Sequence, residues 1–136
     1  MDTLALRQMI FSTPLQEKPV TIDGWNDPAT GAPANLIIRE LTGAAGSELL
    51  TSCTDVSTKS VDQEALVAGI VLATLRNADD PNKSLVFALA TDPNAYDPAL
   101  RDPLMATGLG RIMEVAQASI KLSGLDEAAA KDTKNA

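Results

Sequence analysis

The sequence contains no histidine, a single cysteine and only four aromatic residues among its 136 residues. Without histidine, the chain has no Ser-His-Asp or Cys-His catalytic arrangement and no zinc site that uses a histidine ligand. Cys53 has no second cysteine with which to form an intramolecular disulfide. We therefore predict that the protein is not an enzyme, and we expect no cofactor and no metal site.

Positive charge is also scarce, because 11 Lys and Arg residues face 18 Asp and Glu residues, for a formal net charge of −7. Proteins that bind nucleic acid carry basic surfaces with stacking aromatic residues, so we expect no nucleic-acid partner. The longest uncharged apolar run, residues 65–75, is much shorter than the ~20 residues of a membrane helix. The N-terminus also lacks the basic start of a signal peptide. We expect a soluble, intracellular protein with no membrane partner.

The first third of the chain predicts a short helix followed by a β-hairpin. Apolar residues at helical spacing indicate a helix that ends before Pro14. Alternating apolar and polar residues predict a strand over 19–25, and a second strand is predicted over 35–40. The nine turn-forming residues between them allow the two strands to pair antiparallel.

The middle of the chain predicts two helices. Thr42 is placed to cap the first helix. Ser60 to Gln63 fit a capping box, in which the serine hydroxyl accepts a backbone N–H and the glutamine reaches back. The apolar run that this box opens, residues 63–76, predicts a central buried helix. A buried strand is the alternative, because several of these residues are β-branched, but 14 residues are long for a strand.

The last third of the chain predicts a long C-terminal helix. Three Asp-Pro pairs, at 92–93, 97–98 and 102–103, are candidate helix starts, and an amphipathic pattern follows the third. Two glycines inside that pattern, Gly108 and Gly110, indicate close packing of another helix. Gly124 is placed to end the helix in the left-handed conformation, with Leu125 folding back.

These patterns together predict an α+β fold with an N-terminal β-hairpin flanked by helices and a mostly helical C-terminal half. At this length we expect one domain, covering residues 1–125, followed by a flexible tail over 126–136.

Two features are candidates for binding a partner protein. An apolar stripe that contains methionine is typical of adaptable contacts, and a tryptophan at a strand end beside a long loop is typical of an anchor. For both features, ordinary packing in the domain core remains an open alternative. The candidate residues are Trp25, Met105, Leu109, Ile112 and Met113.

The order of several short motifs resembles the small tail assembly chaperones of long-tailed bacteriophages. A strand ending in tryptophan is followed by a strand-to-helix junction, an apolar return after an acidic turn, and a helix that ends in a Leu-Ser-Gly-Leu sequence. In this chain the corresponding segments are residues 19–25, 38–44, 85–87, 110–116 and 122–125.

This resemblance implies a non-enzymatic chaperone in the cytoplasm of the infected host bacterium. Such a protein would bind the long, helical and hydrophobic tape measure protein and keep it soluble while the tail tube polymerises around it. The resemblance also implies self-association into a homo-oligomer. The alternative function is a structural component of the virion, such as a head–tail connector or a tail completion protein.

Overall fold

Residues 1–124 are described by a computed structural model, and they form the α+β fold that the sequence predicts. The strands β1, β2 and β3 form an antiparallel sheet with β2 in the centre, and β4 and β5 form a separate hairpin. The predicted tail at 126–136, and Leu125 before it, lie outside the described residues. In chain order the elements are α1 (Thr3–Ser12), β1 (Glu17–Val20), β2 (Leu36–Arg39), α2 (Gly43–Ser52), α3 (Gln63–Thr74), β3 (Leu75–Asn77), β4 (Ala88–Leu89), β5 (Asp92–Tyr96), a 3-10 helix (Pro98–Leu100), α4 (Arg101–Met105) and α5 (Leu109–Ser123).

The predicted N-terminal hairpin is confirmed, but its first strand lies closer to the N-terminus than the pattern indicates. β1 pairs antiparallel with β2 and ends at Val20 rather than continuing to residue 25. The chain turns after Ile22, because Gly24 has a φ of 91° and the Trp25 N–H donates to the Ile22 carbonyl at 3.1 Å. Ile22 is only 2% exposed, so it still belongs to the core.

The central buried helix is also confirmed, over Gln63–Thr74, but the next residues leave it to form β3. β3 pairs with β2, with Leu75 opposite Ile38. The predicted helix over 63–76 is therefore too long by two residues, because pairing with the free edge of β2 continues the sheet.

The predicted capping box at Ser60 is wrong. Asp62 is the N-cap of α3, and its carboxylate accepts a hydrogen bond from the Ala65 N–H at 3.1 Å. The Ser60 hydroxyl instead lies 2.7 Å from the Thr58 hydroxyl, inside the loop that precedes the helix. The cap predicted for α2 is confirmed, because Thr42 Oγ1 accepts from the Ala45 N–H at 3.0 Å.

The Asp-Pro pairs have three different outcomes. The pair at 92–93 lies in β5, so the helix start predicted there is wrong. The pair at 97–98 begins the 3-10 helix, with the Asp97 side chain as its cap. The pair at 102–103 lies inside α4, which ends at Met105, and the long helix α5 starts only at Leu109. The predicted continuous stripe from Met105 is therefore interrupted between two helices.

The core lies between α3, α5 and the sheet. Buried side chains of these elements form its main cluster together with Ile22, which follows β1, and Leu104 of α4. The close packing of another helix predicted at Gly108 and Gly110 is wrong. Among the described residues, a Cβ at Gly108 would meet the Arg111 side chain of α5 itself, and a Cβ at Gly110 would have no neighbouring atom within 4 Å. At Gly69 of α3, by contrast, a Cβ would collide with the Leu49 side chain. The predicted end of α5 is confirmed, because Gly124 has a φ of 73°.

Candidate protein-binding surfaces

An open cavity of about 460 Å³ lies at the end of the sheet where β1 meets the start of β2. Four separate parts of the chain contribute to it: the hairpin from Trp25 to the start of β2, β3, the segment after the acidic turn, and the region from the 3-10 helix to Thr107. We call it the Trp25 groove, and it is lined by Trp25, Ala34, Leu36, Leu75, Val86, Phe87, Leu100, Pro103, Leu104 and Thr107.

Backbone hydrogen bonds hold Trp25 at one edge of this groove. The Trp25 carbonyl accepts from the Ala34 N–H at 2.8 Å, which closes the long loop between the strands. The Arg111 Nε donates to the Asp23 carbonyl at 2.7 Å and ties the turn before Trp25 to α5. The Trp25 ring is partly buried and packs against the main core cluster. The tryptophan is thus fixed at the groove rather than free in a loop.

The segment that contains Val86 and Phe87 forms another part of the groove wall. The Val86 N–H donates to the Leu75 carbonyl at 3.0 Å, and the Phe87 carbonyl accepts from the Asp97 N–H at 2.8 Å. These bonds hold the segment between β3 and the residues that follow β5. Val86 remains 42% exposed, so its side chain is available at the surface.

The chemistry of the groove is almost entirely apolar. Within the described part of the chain, the lining residues with a polar group in the side chain are Trp25 and Thr107, and the Thr107 hydroxyl donates to the Leu104 carbonyl at 2.7 Å. Among residues 1–124, the lining of the groove therefore includes no ionisable side chain that could act as an acid or a base. The groove favours an apolar occupant, because binding removes the apolar surface of both from water.

The structure does not bring the five predicted binding residues onto one surface. Trp25 borders the groove, Met105 is partly buried against the core, and Ile112 is fully buried. Met113 is partly buried, whereas Leu109 is 64% exposed. Because α4 ends before α5 begins, Met105 does not share a helix with the other members of the stripe.

The helix α1 forms a second apolar surface, which sequence reasoning predicts as a helix but not as a binding surface. None of its residues is buried, although its Asp2 cap is formed, with a 2.8 Å bond from the Ala5 N–H. A helix that is apolar on most of its circumference is normally covered by other structure. The apolar composition of residues 3–12 is therefore a sequence feature that indicates a surface to be covered by a partner. Its exposed apolar side chains are Leu4 (59%), Leu6 (43%), Met9 (45%), Ile10 (57%) and Phe11 (81%).

A second cavity, of about 410 Å³, contains ionisable side chains, including Arg39 and Arg76. Arg76 is only 8% exposed, and its Nη1 donates to the Lys83 carbonyl at 2.9 Å and to Asn94 Oδ1 at 3.1 Å. Burial lowers the pKa of Arg76 below its ordinary value, and the positive charge of Arg39 lowers it further. The two hydrogen bonds join β3 to the acidic turn and to β5, so this arginine connects elements of the fold.

Within residues 1–124, no three His, Cys, Asp or Glu side chains are grouped so that they could hold a metal ion. None of the helices in that range is long and apolar enough to cross a membrane. Comparisons with protein-family models, curated proteins and solved structures found no match to this chain.

Proposed function

We propose that this protein is a tail assembly chaperone of a long-tailed bacteriophage, acting in the cytoplasm of the infected host. It binds the tape measure protein and keeps it soluble while the tail tube polymerises. It does so by binding alone, without a catalytic step or a cofactor.

The observation that carries this proposal is the Trp25 groove. Its volume of about 460 Å³ is within the ~300–1,000 Å³ of pockets that enclose a ligand. An apolar groove of this kind accepts the apolar side chains of an amphipathic helix, which insert at positions i, i+3, i+4 and i+7. A long helical client offers such side chains repeatedly along its length.

The positions of two resemblance motifs support the same function. These motifs, residues 19–25 and 85–87, are separated by about half of the chain, yet both supply walls of the groove, through Trp25 and Phe87. A third motif, residues 38–44, spans the end of β2, the Thr42 cap and the start of α2. Two of the motifs that carry the resemblance thus meet at the apolar surface that would bind the client.

The net charge of −7 supports a solubilising role as well. Net charge keeps proteins apart in solution, so acidic copies bound along an apolar client would oppose its aggregation.

The test is co-expression with the long, helix-rich protein encoded in the same tail gene cluster. We expect the soluble fraction of that client to rise when the wild-type chain is present. Val86→Asp places a charge at the exposed wall of the groove, so we expect it to remove most of this gain. Val56→Asp is the matched control, because Val56 is 94% exposed and lies outside the groove.

A client that stays equally insoluble with and without the wild-type chain would contradict the proposal. Purified virions provide a second measurement, which separates a chaperone from a structural component. We expect the protein to be absent from mature particles, and stoichiometric amounts there would favour the connector or completion function instead.

A further inference from the structure

Arg76 brings a positive charge into the fold without a carboxylate to pair with it. The residue is only 8% exposed, and it lines the second cavity, which we call the Arg76 cavity. Among residues 1–124, the ion pairs join Glu17 to Arg39 and Glu17 to Lys83, so Arg76 belongs to none of them. A buried charge is normally paired, because its removal from water is costly. Arg76 therefore has a capacity for an anion that the described part of the chain does not use.

The hydrogen bonds of Arg76 occupy one nitrogen of its guanidinium and leave one edge without a partner. Nη1 carries two hydrogens, and they are donated to the Lys83 carbonyl at 2.9 Å and to Asn94 Oδ1 at 3.1 Å. Within residues 1–124, Nε is enclosed and donates to no acceptor. Nη2 makes no hydrogen bond there either, but it is not enclosed, so it reaches the surface of the cavity. The Nε–H and one Nη2–H point the same way, so this edge offers two parallel donors.

We infer that this edge of Arg76 binds a carboxylate, and that the Arg76 cavity holds the apolar group to which the carboxylate is attached. Two parallel N–H groups match the two oxygens of a carboxylate, which is the bidentate pairing that arginine forms. One oxygen accepts from Nη2 at the surface of the cavity, and the other accepts from Nε once the side chains that cover Nε shift. Because two hydrogen bonds already fix Nη1, the edge is oriented before the ligand arrives.

The charged side chains of the cavity favour an anion of single charge. Arg39 and Arg76 contribute two positive charges to the lining, and Glu40 and Glu48 contribute two negative charges. A carboxylate adds one negative charge beside Arg76. A phosphate monoester carries about −1.5 to −2 at neutral pH, so the two glutamates repel it more strongly.

The size and the apolar walls of the cavity determine the rest of the ligand. Its volume of about 410 Å³ is within the ~300–1,000 Å³ of sites that enclose small molecules. An aliphatic or aromatic group fits such walls, and it is joined to a carboxylate both in small organic acids and at the end of a peptide whose last residue is apolar. The apolar lining includes Leu15, Leu41, Ala45, Ala73, Leu85 and Pro98.

This site is separate from the surface on which the proposed function depends. Within the described residues, the Arg76 cavity and the Trp25 groove have no lining residue in common. Binding of a carboxylate is therefore measured without a client, and its failure leaves the proposed function untouched.

The test is isothermal titration calorimetry of the purified full-length chain with phenylacetate, and with phenylacetamide as an uncharged probe of nearly the same shape. We expect phenylacetate to bind at least about tenfold more tightly, the difference that one charge-assisted hydrogen bond provides. Inorganic phosphate should bind more weakly than phenylacetate. Equal binding of the acid and the amide would overturn the inference, and so would tighter binding of phosphate.

Ala45→Glu tests the position of the ligand without altering Arg76. Ala45 is exposed in the first turn of α2 and lines the cavity, so the new carboxylate repels the ligand or pairs with Arg76 in its place. We expect the affinity for phenylacetate to fall about tenfold or more. Ala44→Glu is the matched control, because Ala44 is exposed in the same turn but does not line the cavity. Equal affinities in the two variants would overturn the inference.

Two further variants separate the arginine edge from charge alone and from the groove. Arg76→Lys keeps the charge but removes the two parallel donors, so we expect a similar loss of affinity in a variant whose thermal unfolding shows that it is folded. Val86→Asp should bind phenylacetate as wild type does. A loss of binding in Val86→Asp would place the ligand in the Trp25 groove and would overturn the inference.

A short peptide that ends in leucine distinguishes the two sources of the carboxylate. Tighter binding of this peptide than of phenylacetate, lost when its C-terminus is amidated, would identify the end of a protein chain as the ligand. Weaker binding of the peptide would identify a small organic acid. If neither the peptide nor phenylacetate binds, the inference is wrong.

Discussion

At the scale of single residues, two helical glycines show how surroundings decide the effect of one methyl group. Gly69 faces the Leu49 side chain so closely that a Cβ would collide with it, whereas Gly110 has open space around it. We expect Gly69→Ala to lower the free energy of unfolding by about 1 kcal/mol, because overpacking outweighs the gain in helix propensity. Urea denaturation measures the change.

Gly110→Ala is the matched control, in α5. Alanine removes the conformational freedom of glycine without a collision, so we expect a gain of roughly 0.5–1 kcal/mol at this position. Equal effects at both positions would contradict the close contact at Gly69.

A buried pair of hydroxyl groups makes a second residue-scale prediction. Thr74 Oγ1 donates to the Ile70 carbonyl at 2.7 Å and lies 2.8 Å from Ser119 Oγ, with both residues at most 1% exposed. Since a hydroxyl carries one hydrogen, Ser119 is the donor to Thr74. We expect Thr74→Val to cost about 1–3 kcal/mol, because it leaves that donor buried without its partner.

The double variant Thr74→Val with Ser119→Ala tests this pairing. Replacing both hydroxyls removes the unsatisfied group, so the loss should be smaller than the sum of the two single losses. Additive losses of unfolding free energy in a double-mutant cycle would show that the two hydroxyls do not interact.

At the scale of elements, the start of α3 depends on Asp62 rather than on the serine that the sequence pattern favours. We expect Asp62→Ala to lower the free energy of unfolding by about 1 kcal/mol, the usual cost of a lost N-cap. Ser60→Ala is the control, and it should change stability by less than half as much. A larger loss of unfolding free energy in Ser60→Ala than in Asp62→Ala, measured by urea denaturation, would show instead that Ser60 caps α3.

Element types could be predicted from the sequence better than element ends. The apolar run after residue 63 is long enough to identify a helix, but nothing local marks the change to β3 after Thr74. That change depends on hydrogen bonds to β2, which come from a distant part of the chain. The sequence does not predict the hairpin of β4 and β5. An Asp-Pro pair is compatible with a turn, a strand end or a helix cap, so it does not distinguish between them.

At the scale of the whole molecule, stability should be unevenly distributed. α3 contributes six buried residues to the core, whereas α1 contributes none. We therefore expect the amides of α1 to exchange with solvent through local opening at low protein concentration, and those of α3 to exchange only through global unfolding. Hydrogen exchange followed by mass spectrometry measures both, and equal protection of the two helices would contradict this distribution.

The Trp25 groove could be predicted only in part, because its walls come from segments that are distant in the sequence. Trp25 is identifiable because it is a rare residue at a strand end. Its neighbours in the groove, such as Val86 and Pro103, come from segments that meet only once the chain has folded. The exposure of α1 is likewise a property of the fold, because a local pattern does not say whether an apolar helix finds a partner within its own chain.

The place of Trp25 at the edge of the groove has a practical consequence. It is the only tryptophan in the chain, so the indole fluorescence of the protein comes from one point beside the apolar cavity. An occupant that displaces water from the ring should shift its emission to shorter wavelength, whereas a contact at α1 should leave the emission nearly unchanged. The unlabelled protein therefore carries its own optical reporter of groove occupancy.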